Sequence, residues 1–317
     1  MRKVKFAVGV LLGLVFNVPG YAQGPGRSYT LTPYDVPNNT GNNTSLFDLV
    51  KGDQFLVGTY FTNRQNAFGA DQKKGTLTSY NIGDSFINYV VAVSTAGIVG
   101  SADFPGGRVG TIWPRKPSAA LWKKALGPAM PLPSSPREPI IIDIEDYNST
   151  ALLGLNNRGQ VVGAVQRLDA TFRGLVIAEA TVVIFDYPGA QSTVAEGIRK
   201  NGTIVGTYTL DRVNHGFILH PNGQFEPFNV PQVCATFSPE TFIYDTNDAG
   251  DLAGAYMDCA SRQMRGYVLT RKGQLLVVTF PRTGTTATHV QGLDNAGNIA
   301  GHFDDATGRH GFLGILE

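Results

Sequence analysis

A short turn motif recurs along the whole of this chain. Its clearest copies read NNRGQVVG at 156–163, RKNGTIVG at 199–206, NDAGDLAG at 247–254 and DNAGNIAG at 294–301. Each copy closes on a glycine, and weaker copies close on Gly58 and Gly100, so successive closing glycines are 42, 63, 43, 48 and 47 residues apart. A period of about 45 residues indicates a repeat protein, in which each supersecondary unit stacks on its neighbours.

The residues within one repeat predict four short strands. In the turn, Asn or Asp accepts backbone hydrogen bonds while glycine takes a left-handed conformation, which closes a tight hairpin. In the copy that begins at Arg199, the β-rich runs TIVGTY and HGFIL follow, separated from the next run by the turn HPNG. The run QFEPFNVP then ends at a proline, which cannot continue a central strand. Four strands in about 45 residues make one blade of a β-propeller.

A second short motif, which we call the second mark, follows most closing glycines by about ten to twelve residues. It reads FG at 68–69, RG at 173–174, HGF at 215–217, RGY at 265–267 and HGF at 310–312. Six glycine copies therefore predict an all-β chain with six blades of four antiparallel strands. The last copy stops after its third strand, and YTLTPYDVP at 29–37 resembles the fourth strands of the other copies. We expect this N-terminal strand to complete the sixth blade, because closure removes an exposed sheet edge.

The first 22 residues have the features of a signal peptide. MRKVK is a positively charged start, FAVGVLLGLVF is an apolar stretch, and GYA before Gln23 is a small-residue cleavage site. We expect cleavage near Ala22, secretion to the extracellular space or the periplasm, and one mature domain over 23–317. We expect no membrane span, because the apolar stretch is too short and no later run approaches about 20 apolar residues.

The rhythm of the repeats breaks at 114–139, where the chain is rich in proline. Within this insertion, Ala119 to Leu126 predicts one short helix. Two interpretations are open: a tolerated surface insertion, or a lid or docking element that carries Trp122 across one face. The second interpretation would suit a structural part of a surface assembly.

Charge and motif content argue against several classes of function. The formal net charge is +1, whereas non-specific nucleic-acid binding needs a concentrated basic face. The glycine-rich turns lie between strands and precede no GK[ST], so they do not predict a nucleotide site. No GxSxG marks a hydrolase nucleophile. We expect no cofactor and no nucleic-acid partner.

The two cysteines, Cys234 and Cys259, predict a disulfide. On the strand assignment above, Cys234 precedes the first strand of blade five and Cys259 lies between its second and third strands. These two loops emerge at the same end of the blade. An oxidising compartment favours a structural disulfide over free or metal-binding thiols, and such a bridge contributes about 2–4 kcal/mol to stability.

Histidines and one acidic turn are the remaining candidates for metal chemistry. One repeat position is shared by Arg173, His215, Arg265 and His310. A recurring basic group indicates a structural strut, for which Asp211 or Asp304 would be the partner. The other histidines show no metal-ligand spacing. DTNDAGD at 245–251 resembles the start of a calcium loop, but Ala249 and Tyr256 stand where a ligand and the closing carboxylate belong. We expect no metal.

One face of the predicted propeller collects the loops between second and third strands and the loops between blades. Aromatic, acidic and arginine side chains near these loops can stack on and hydrogen-bond a sugar or a peptide. The candidate ligand-binding residues are Tyr60, Arg167, Asp169, Tyr208, Asp211, Arg212, Tyr256, His302 and Asp304. For each of them, an ordinary solvated loop is the alternative.

The repeats resemble the HAF-type extracellular repeats of exported bacterial proteins. The resemblance rests on GIRKNGTIVGTY with its NHGF, on GLDNAGNIAGHF with its RHGF, and on the linker YPGAQSTVAEGI at 187–198. It covers nearly all of the chain after the signal peptide, most clearly from residue 149 onward, and residues 101–148 depart from it. The resemblance implies an exported protein of repeat architecture and carries over no catalytic residues.

Two functions from different classes follow as hypotheses. The first is an exported, non-catalytic binding module, a monomer that recognises a glycan or a surface protein through one propeller face. The second is an extracellular glycosidase or lyase that uses carboxylates on the loop face, such as Asp304 and Asp305. Acids that face each other across the channel mouth at about 5–10 Å would favour the enzyme.

Overall fold

The structure is a computed structural model that describes residues 27–37, 39, 43–50, 54–115, 119–129, 132–133, 135, 138–232, 234 and 238–317. The predicted signal peptide lies outside these residues. The described chain consists of strands and connections apart from one helix, α1 (Ala119–Leu126), which lies where the sequence predicted it. Among the described residues, no helix has the length and apolar character needed to cross a bilayer.

The strands pair in groups of four, which we call units 1 to 6. Within each unit, consecutive strands are antiparallel neighbours, as the repeat predicted. After the N-terminal strand β1 (Tyr29–Tyr34), unit 1 holds β2 (Thr44–Val50), β3 (Phe55–Phe61), β4 (Gln65–Asp71) and β5 (Thr76–Ser79). Unit 2 holds β6 (Ile87–Val93), β7 (Gly97–Phe104), β8 (Gly107–Pro114) and β9 (Ile140–Ile142). Unit 3 holds β10 (Ser149–Leu155), β11 (Val161–Gln166), β12 (Phe172–Ala178) and β13 (Thr181–Phe185).

The remaining units follow the same order. Unit 4 holds β14 (Ser192–Ile198), β15 (Ile204–Leu210), β16 (Val213–Leu219) and β17 (Phe225–Phe228). Unit 5 holds β18 (Thr241–Thr246), β19 (Leu252–Met257), β20 (Met264–Leu269) and β21 (Leu275–Val278). Unit 6 holds β22 (Ala287–Leu293), β23 (Ile299–Asp305) and β24 (Gly308–Leu316). The hydrophobic core is divided among the spaces between neighbouring units; Val205 of unit 4, for example, packs with Ile243 of unit 5.

β1 brings the two ends of the described chain together. It pairs antiparallel with β24 over its whole length, from Tyr29 opposite Leu316 to Tyr34 opposite Gly311. The hydroxyl of Thr30 also donates a hydrogen bond to the carboxylate of Glu317. β1 therefore lies beside β24 in the place that the fourth strand occupies in the other units.

A buried polar side chain on each first strand binds the unit before it. Thr193 of β14 accepts a hydrogen bond from the backbone N–H of Tyr187, just beyond unit 3, at 2.8 Å. The equivalent donor and acceptor pairs are Val36 and Thr44, Ile82 and Asn88, Ile144 and Thr150, Val230 and Thr241, and Phe280 and Thr288, at 2.9–3.3 Å. All six acceptor side chains are at most 1% exposed, so the bond to protein replaces one to water. The first strands of successive units contact one another, and β22 also contacts β2.

The recurring basic residue of the third strand forms a strut, but the predicted partners are wrong. His215 Nδ1 lies 3.0 Å from Asn229 Oδ1, and His310 Nδ1 lies 2.9 Å from Asp35 Oδ2. Arg173 bonds Asp186 and Arg265 bonds Thr279 in the same way, at 3.0 and 2.8 Å. Each partner directly follows a fourth strand, so the strut fastens that strand's end to the third strand. The expected partners Asp211 and Asp304 lie toward the hairpin between the second and third strands instead.

The second mark is displaced by one residue in unit 1. There Phe68 lies opposite the closing glycine Gly58, as Phe217 lies opposite Gly206 in unit 4. Ala67–Phe68, and not FG at 68–69, therefore corresponds to the GF of the other copies.

The aromatic residues that follow the closing glycines are buried rather than placed at a rim. Tyr208 is 6% exposed and stacks on Tyr187 with 3.7 Å between ring centroids. Tyr256 is 7% exposed and packs edge to face on Tyr267. Residues two apart in a strand share a face, so each aromatic side chain follows its glycine onto the face that packs between units. Tyr208 and Tyr256 therefore have little surface left for contact with a ligand.

The helix of the insertion is part of the core. Trp122 is 1% exposed and packs with Val99 of unit 2 and Leu155 of unit 3. A docking element that displays Trp122 across one face is therefore not what the fold contains. Helix α1 instead closes the hydrophobic space between units 2 and 3.

The predicted disulfide is present. Cys234 and Cys259 are bonded, with their Cα atoms 5.2 Å apart. Cys234 precedes β18 and Cys259 lies between β19 and β20, as expected.

Replacing Thr193 by valine should destabilise the fold by about 0.5–1.5 kcal/mol, because the N–H of Tyr187 loses its hydrogen-bond acceptor at the junction between units. The midpoint of urea unfolding measures the change. Thr193→Ser is the matched control, since it keeps the hydroxyl. Equal stability of Thr193→Val and wild type would contradict the importance of this bond.

Removing the disulfide through Cys234→Ser together with Cys259→Ser should cost about 2–4 kcal/mol of unfolding free energy, because the unfolded chain regains freedom over the intervening loop. Wild-type protein in reducing buffer should show the same loss in urea. An unchanged midpoint in both samples would refute the stabilising role of the bridge.

Candidate functional site

A β-bulge interrupts the first strand of each unit at the same place. Each bulge adds one residue, which bends the strand and re-aims the added side chain. The added residues are Phe47, Val91, Leu153, Glu196, Tyr244 and Gln291. All six line a cavity of about 550 Å³ where the first strands meet. The repeated bulge therefore creates one shared site from six separate units.

The bulge residues give the cavity two unlike walls. Units 1 to 3 contribute Phe47, Val91 and Leu153, which we call the apolar arc, and units 4 to 6 contribute Glu196, Tyr244 and Gln291, which we call the polar arc. All six are half-buried, so each retains surface. Because neighbouring first strands follow chain order around the cavity, the apolar arc faces the polar arc.

Two carboxylates beside the bulges join neighbouring units. Asp48 accepts hydrogen bonds from the backbone N–H groups of Leu49 and Val93, both at 2.7 Å. Asp245 accepts them from Thr246 and Leu293 at 2.7 and 2.8 Å. Burial raises the pKa of both carboxyls, and the nearby charge of Asp245 raises that of Asp48 further, against the lowering effect of the N–H donors. Each carboxyl thus bridges one unit to the next at the cavity wall.

Glu196 and Gln291 are polar residues of the cavity wall. Neither forms a hydrogen bond or an ion pair with another described residue. Burial raises the pKa of Glu196 to about 8. At neutral pH the carboxyl is therefore mostly protonated, and it can both donate and accept a hydrogen bond.

A histidine of the next unit holds the side chain of Tyr244 in place. Its hydroxyl lies 3.2 Å from Nδ1 of His289 on β22, the first strand of unit 6. Burial lowers the pKa of His289 to about 4, so the imidazole is neutral and can accept the tyrosine proton in a hydrogen bond. This contact fixes the ring of Tyr244 within the polar arc.

The rim of the cavity consists of the Asn- and Asp-containing turns. Asn157 Oδ1 accepts a hydrogen bond from the N–H of Thr95, Asp248 accepts one from Lys200, and Asn295 accepts one from Asp248, at 2.8–2.9 Å. These turns were predicted only to close their own hairpins. They also link neighbouring units around the rim.

In the turn that resembles a calcium loop, the side-chain oxygens accept hydrogen bonds from backbone N–H groups. Asn247 Oδ1 accepts hydrogen bonds from the N–H groups of Gly250 and Asp251, both at 3.0 Å. Both carboxylate oxygens of Asp245 are likewise engaged, as described above. Over the described ranges, no three His, Cys, Asp or Glu side chains form a group suited to a metal ion.

The candidate residues of the loop face lie at the other end of the units. Arg167 and Asp169 belong to the hairpin between β11 and β12, and Asp211 and Arg212 form the turn between β15 and β16. Arg167 pairs with Asp186 at 3.0 Å. Asp169 accepts hydrogen bonds from Thr171, which lower its pKa.

The other candidate ligand-binding residues do not lie beside these hairpin residues. Tyr60 is half-buried against Phe68, whereas Tyr208 and Tyr256 are in the core. His302 is 5% exposed and stacks on His289, and burial lowers its pKa well below the usual range. Asp304 forms a two-point pair with Arg309 at 2.8 and 3.0 Å. The nine candidates are thus divided between core positions and the ends of separate hairpins.

Sequence analysis missed the residues of the cavity. Their signal is a repeat position in the first strand that comes directly before a glycine in three units, an aspartate in two and Ala92 in the remaining one. The glycine copies are LeuGly at 153–154, GluGly at 196–197 and GlnGly at 291–292. The residue type changes from copy to copy, so the position does not stand out as a motif. Only the recurring register shift reveals that these side chains converge.

Comparison with known proteins gives the fold. No protein-family model and no curated protein sequence matches the chain. Solved structures do match. A streptogramin B lyase is 12% identical with a TM-score of 0.50, covering 91% of this chain and 98% of the other. A gluconolactonase from Xanthomonas campestris is 10% identical with a TM-score of 0.52, covering 91% and 90%.

A third structure agrees with these two. TolB from Acinetobacter baumannii is 9% identical with a TM-score of 0.52, covering 88% of this chain and 65% of TolB. The fold is a β-propeller. At identities this low the likeness extends to the fold alone, so the blades of this propeller share an architecture with proteins of several different functions.

Replacing Glu196 by glutamine should make the propeller less sensitive to alkaline pH. The folded-state pKa of about 8 lies above the usual value of 4.5, so the stability from the protonated carboxyl is full below pH 4.5 and is lost as the pH rises through 8. At pH 9, Glu196→Gln should melt several degrees above wild type, with about 2–4 °C for each kcal/mol. At pH 5 the two should be similar.

Thermal unfolding between pH 5 and 9 measures this difference. Asp48 and Asp245 titrate in both proteins, so the comparison isolates Glu196. The exposed Glu145→Gln is the matched control and should follow wild type. Parallel pH curves for Glu196→Gln and wild type would show that Glu196 is not a buried acid.

Proposed function

We propose that this protein is an exported, non-catalytic binding module that recognises a glycan in its central cavity. We further propose that it is a six-bladed propeller of the HAF-repeat type, with β1 as the fourth strand of the sixth blade. The pairing of β1 with β24 and the contact between β22 and β2 support this closure. The disulfide supports export, because such bonds persist in oxidising compartments.

The observation that carries the binding function is the cavity with its two arcs. Its volume of about 550 Å³ falls within the roughly 300–1,000 Å³ of small-molecule pockets. A binding site needs apolar surface for contact area and a few polar groups without other partners for orientation. The apolar arc supplies the first, and Glu196 and Gln291 supply the second. The proposed site is therefore the cavity at the end of the units that carries the Asn- and Asp-containing turns, and not the loop face at the opposite end.

A glycan array followed by calorimetry on residues 23–317 tests this function. Gln291→Ala in the cavity should raise the Kd of the bound glycan about tenfold, which corresponds to about 1.4 kcal/mol for one lost hydrogen bond. Asp211→Asn on the loop face is the control and should leave the Kd unchanged. Weakening by Asp211→Asn but not by Gln291→Ala would return the site to the loop face.

A carbohydrate-active enzyme is the second candidate, and one observation favours it. Glu196 remains protonated at neutral pH, as a glycosidase's general acid must. It would donate that proton to the glycosidic oxygen, and a second carboxyl in its ionised form would have to stabilise or attack the sugar carbon. Burial raises the pKa of Asp245 to about 7, so of the two carboxyls beside the bulges Asp245 is the candidate for this role near neutral pH. On the loop face, by contrast, hydrogen bonds hold the pKa of Asp169, Asp258 and Asp305 below the usual range, which does not suit a proton donor.

Soluble oligosaccharide release, followed by mass spectrometry, separates the two candidates. An enzyme should release fragments in the wild type and lose this activity in Glu196→Gln. Release that persists in Glu196→Gln would exclude Glu196 as the acid. Binding without release would retain the binding module.

A further inference from the structure

We propose that the cavity selects a neutral sugar ring over an acidic one, with the hydroxyl edge of the ring on the polar arc and its C–H face on the apolar arc. This inference rests on the proposed function and names the ligand class of the same site. It follows from three properties of the cavity wall: the division into arcs, the unpaired ends of Glu196 and Gln291, and the two carboxyls beside the bulges.

The polar arc is suited to hydroxyl groups. Glu196 and Gln291 have no other partner among the described residues and stand one on each side of Tyr244 around the ring of first strands. A sugar hydroxyl both donates and accepts, and so do a protonated carboxyl and a primary amide. Adjacent hydroxyls along one edge of a ring can therefore bond the two side chains without leaving an unpaired polar group.

The apolar arc is suited to the C–H face of the same ring. Phe47, Val91 and Leu153 come from three consecutive units, line the cavity and are half-buried, so each retains apolar surface. A pyranose carries its hydroxyls at the rim and C–H groups on its faces. Contact with an aromatic or aliphatic wall removes both apolar surfaces from water.

The carboxyls of the wall oppose an acidic sugar. Asp48 and Asp245 each project from the residue after a bulge and line the same cavity as Glu196. The described lining holds five carboxyl side chains, those of Asp48, Glu196, Asp245, Asp248 and Asp294, and no lysine, arginine or histidine. A uronate would therefore bring a negative charge into a partly buried space that offers it no cationic partner, and such burial disfavours the charged form. A neutral hexose meets no such penalty.

The surroundings of Glu196 make the preference depend on pH. From β18, Tyr244 and Asp245 face it, and Asp48 faces it across the cavity from β2. β10 and β11 present no titratable residue. On β12 and β15, Arg173 and Tyr208 are engaged with Asp186 and Tyr187. The neighbours of Glu196 are thus acids and a tyrosine, so ionisation of Glu196 would add an unfavourable charge and remove a donor.

Titration with matched sugars tests the inference. The probes are methyl β-glucoside against methyl β-glucuronide, and methyl β-galactoside against methyl β-galacturonide, followed by saturation-transfer NMR and calorimetry at pH 7. At least one neutral sugar should bind more than tenfold more tightly than its acidic partner. Its affinity should fall about tenfold from pH 7 to pH 9, as the protonated fraction of Glu196 falls. Glu196→Gln should keep its affinity over this range, because the amide stays neutral.

Each outcome bears on a different claim. Equal or tighter binding of an acidic sugar overturns the neutral preference and leaves the cavity as a glycan site. A pH dependence that survives in Glu196→Gln overturns the role of Glu196. If no probe binds although the array identifies a glycan, the inference fails while the proposed function stands. If the array identifies no glycan, the proposed function fails and the inference with it.

Discussion

The buried hydrogen bond at each junction between units is the contact on which the architecture depends. A threonine or asparagine on the first strand of one unit accepts the backbone N–H that follows the last strand of the unit before it. Each acceptor side chain is almost fully buried, so breaking the bond leaves a buried polar atom unpaired. The bond therefore sets where each new first strand begins, and with it the position of every bulge on the cavity wall.

Scaffold positions and site positions differ in how they repeat. The junction acceptor is a threonine in five units and Asn88 in the other, and the strut bonds the residue after the fourth strand in several units. The bulge residue, in contrast, changes from phenylalanine to glutamate around the ring. A ring of equivalent units can keep its packing while one position per unit varies. In this propeller that freedom is located at the cavity.

Much of the fold was predictable because the repeat is local. The turn glycines, the strand runs, the helix at Ala119–Leu126 and the loops that hold Cys234 and Cys259 all follow from short stretches of sequence. The resemblance of residues 29–37 to a fourth strand also predicted that β1 would lie beside the last strand of the chain. These features depend on nearest neighbours in sequence or on matching between copies.

The site was not predictable by the same means. From the sequence, Tyr208 and Tyr256 are candidates for ligand contact near the loops. Because side chains alternate along a strand, both instead lie in the buried space between blades. Glu196 lies in the sequence AEGI, which matches no functional motif. Only the register shift in β14 places its side chain at the cavity. Its environment includes Asp48 and Tyr244, which lie 148 and 48 positions away in the sequence. Convergence of this kind depends on contacts between units that are far apart in sequence, which no single repeat encodes.

A crystal structure of the protein, grown with a saturating concentration of a glycan identified on the array, is the most direct test of the proposed binding site. The account predicts a sugar ring in the central cavity, its hydroxyls within hydrogen-bond distance of Glu196 and Gln291 and its C–H face against Leu153. A sugar bound at the hairpins that carry Asp169 and Asp211, with the cavity free of it, would contradict the account.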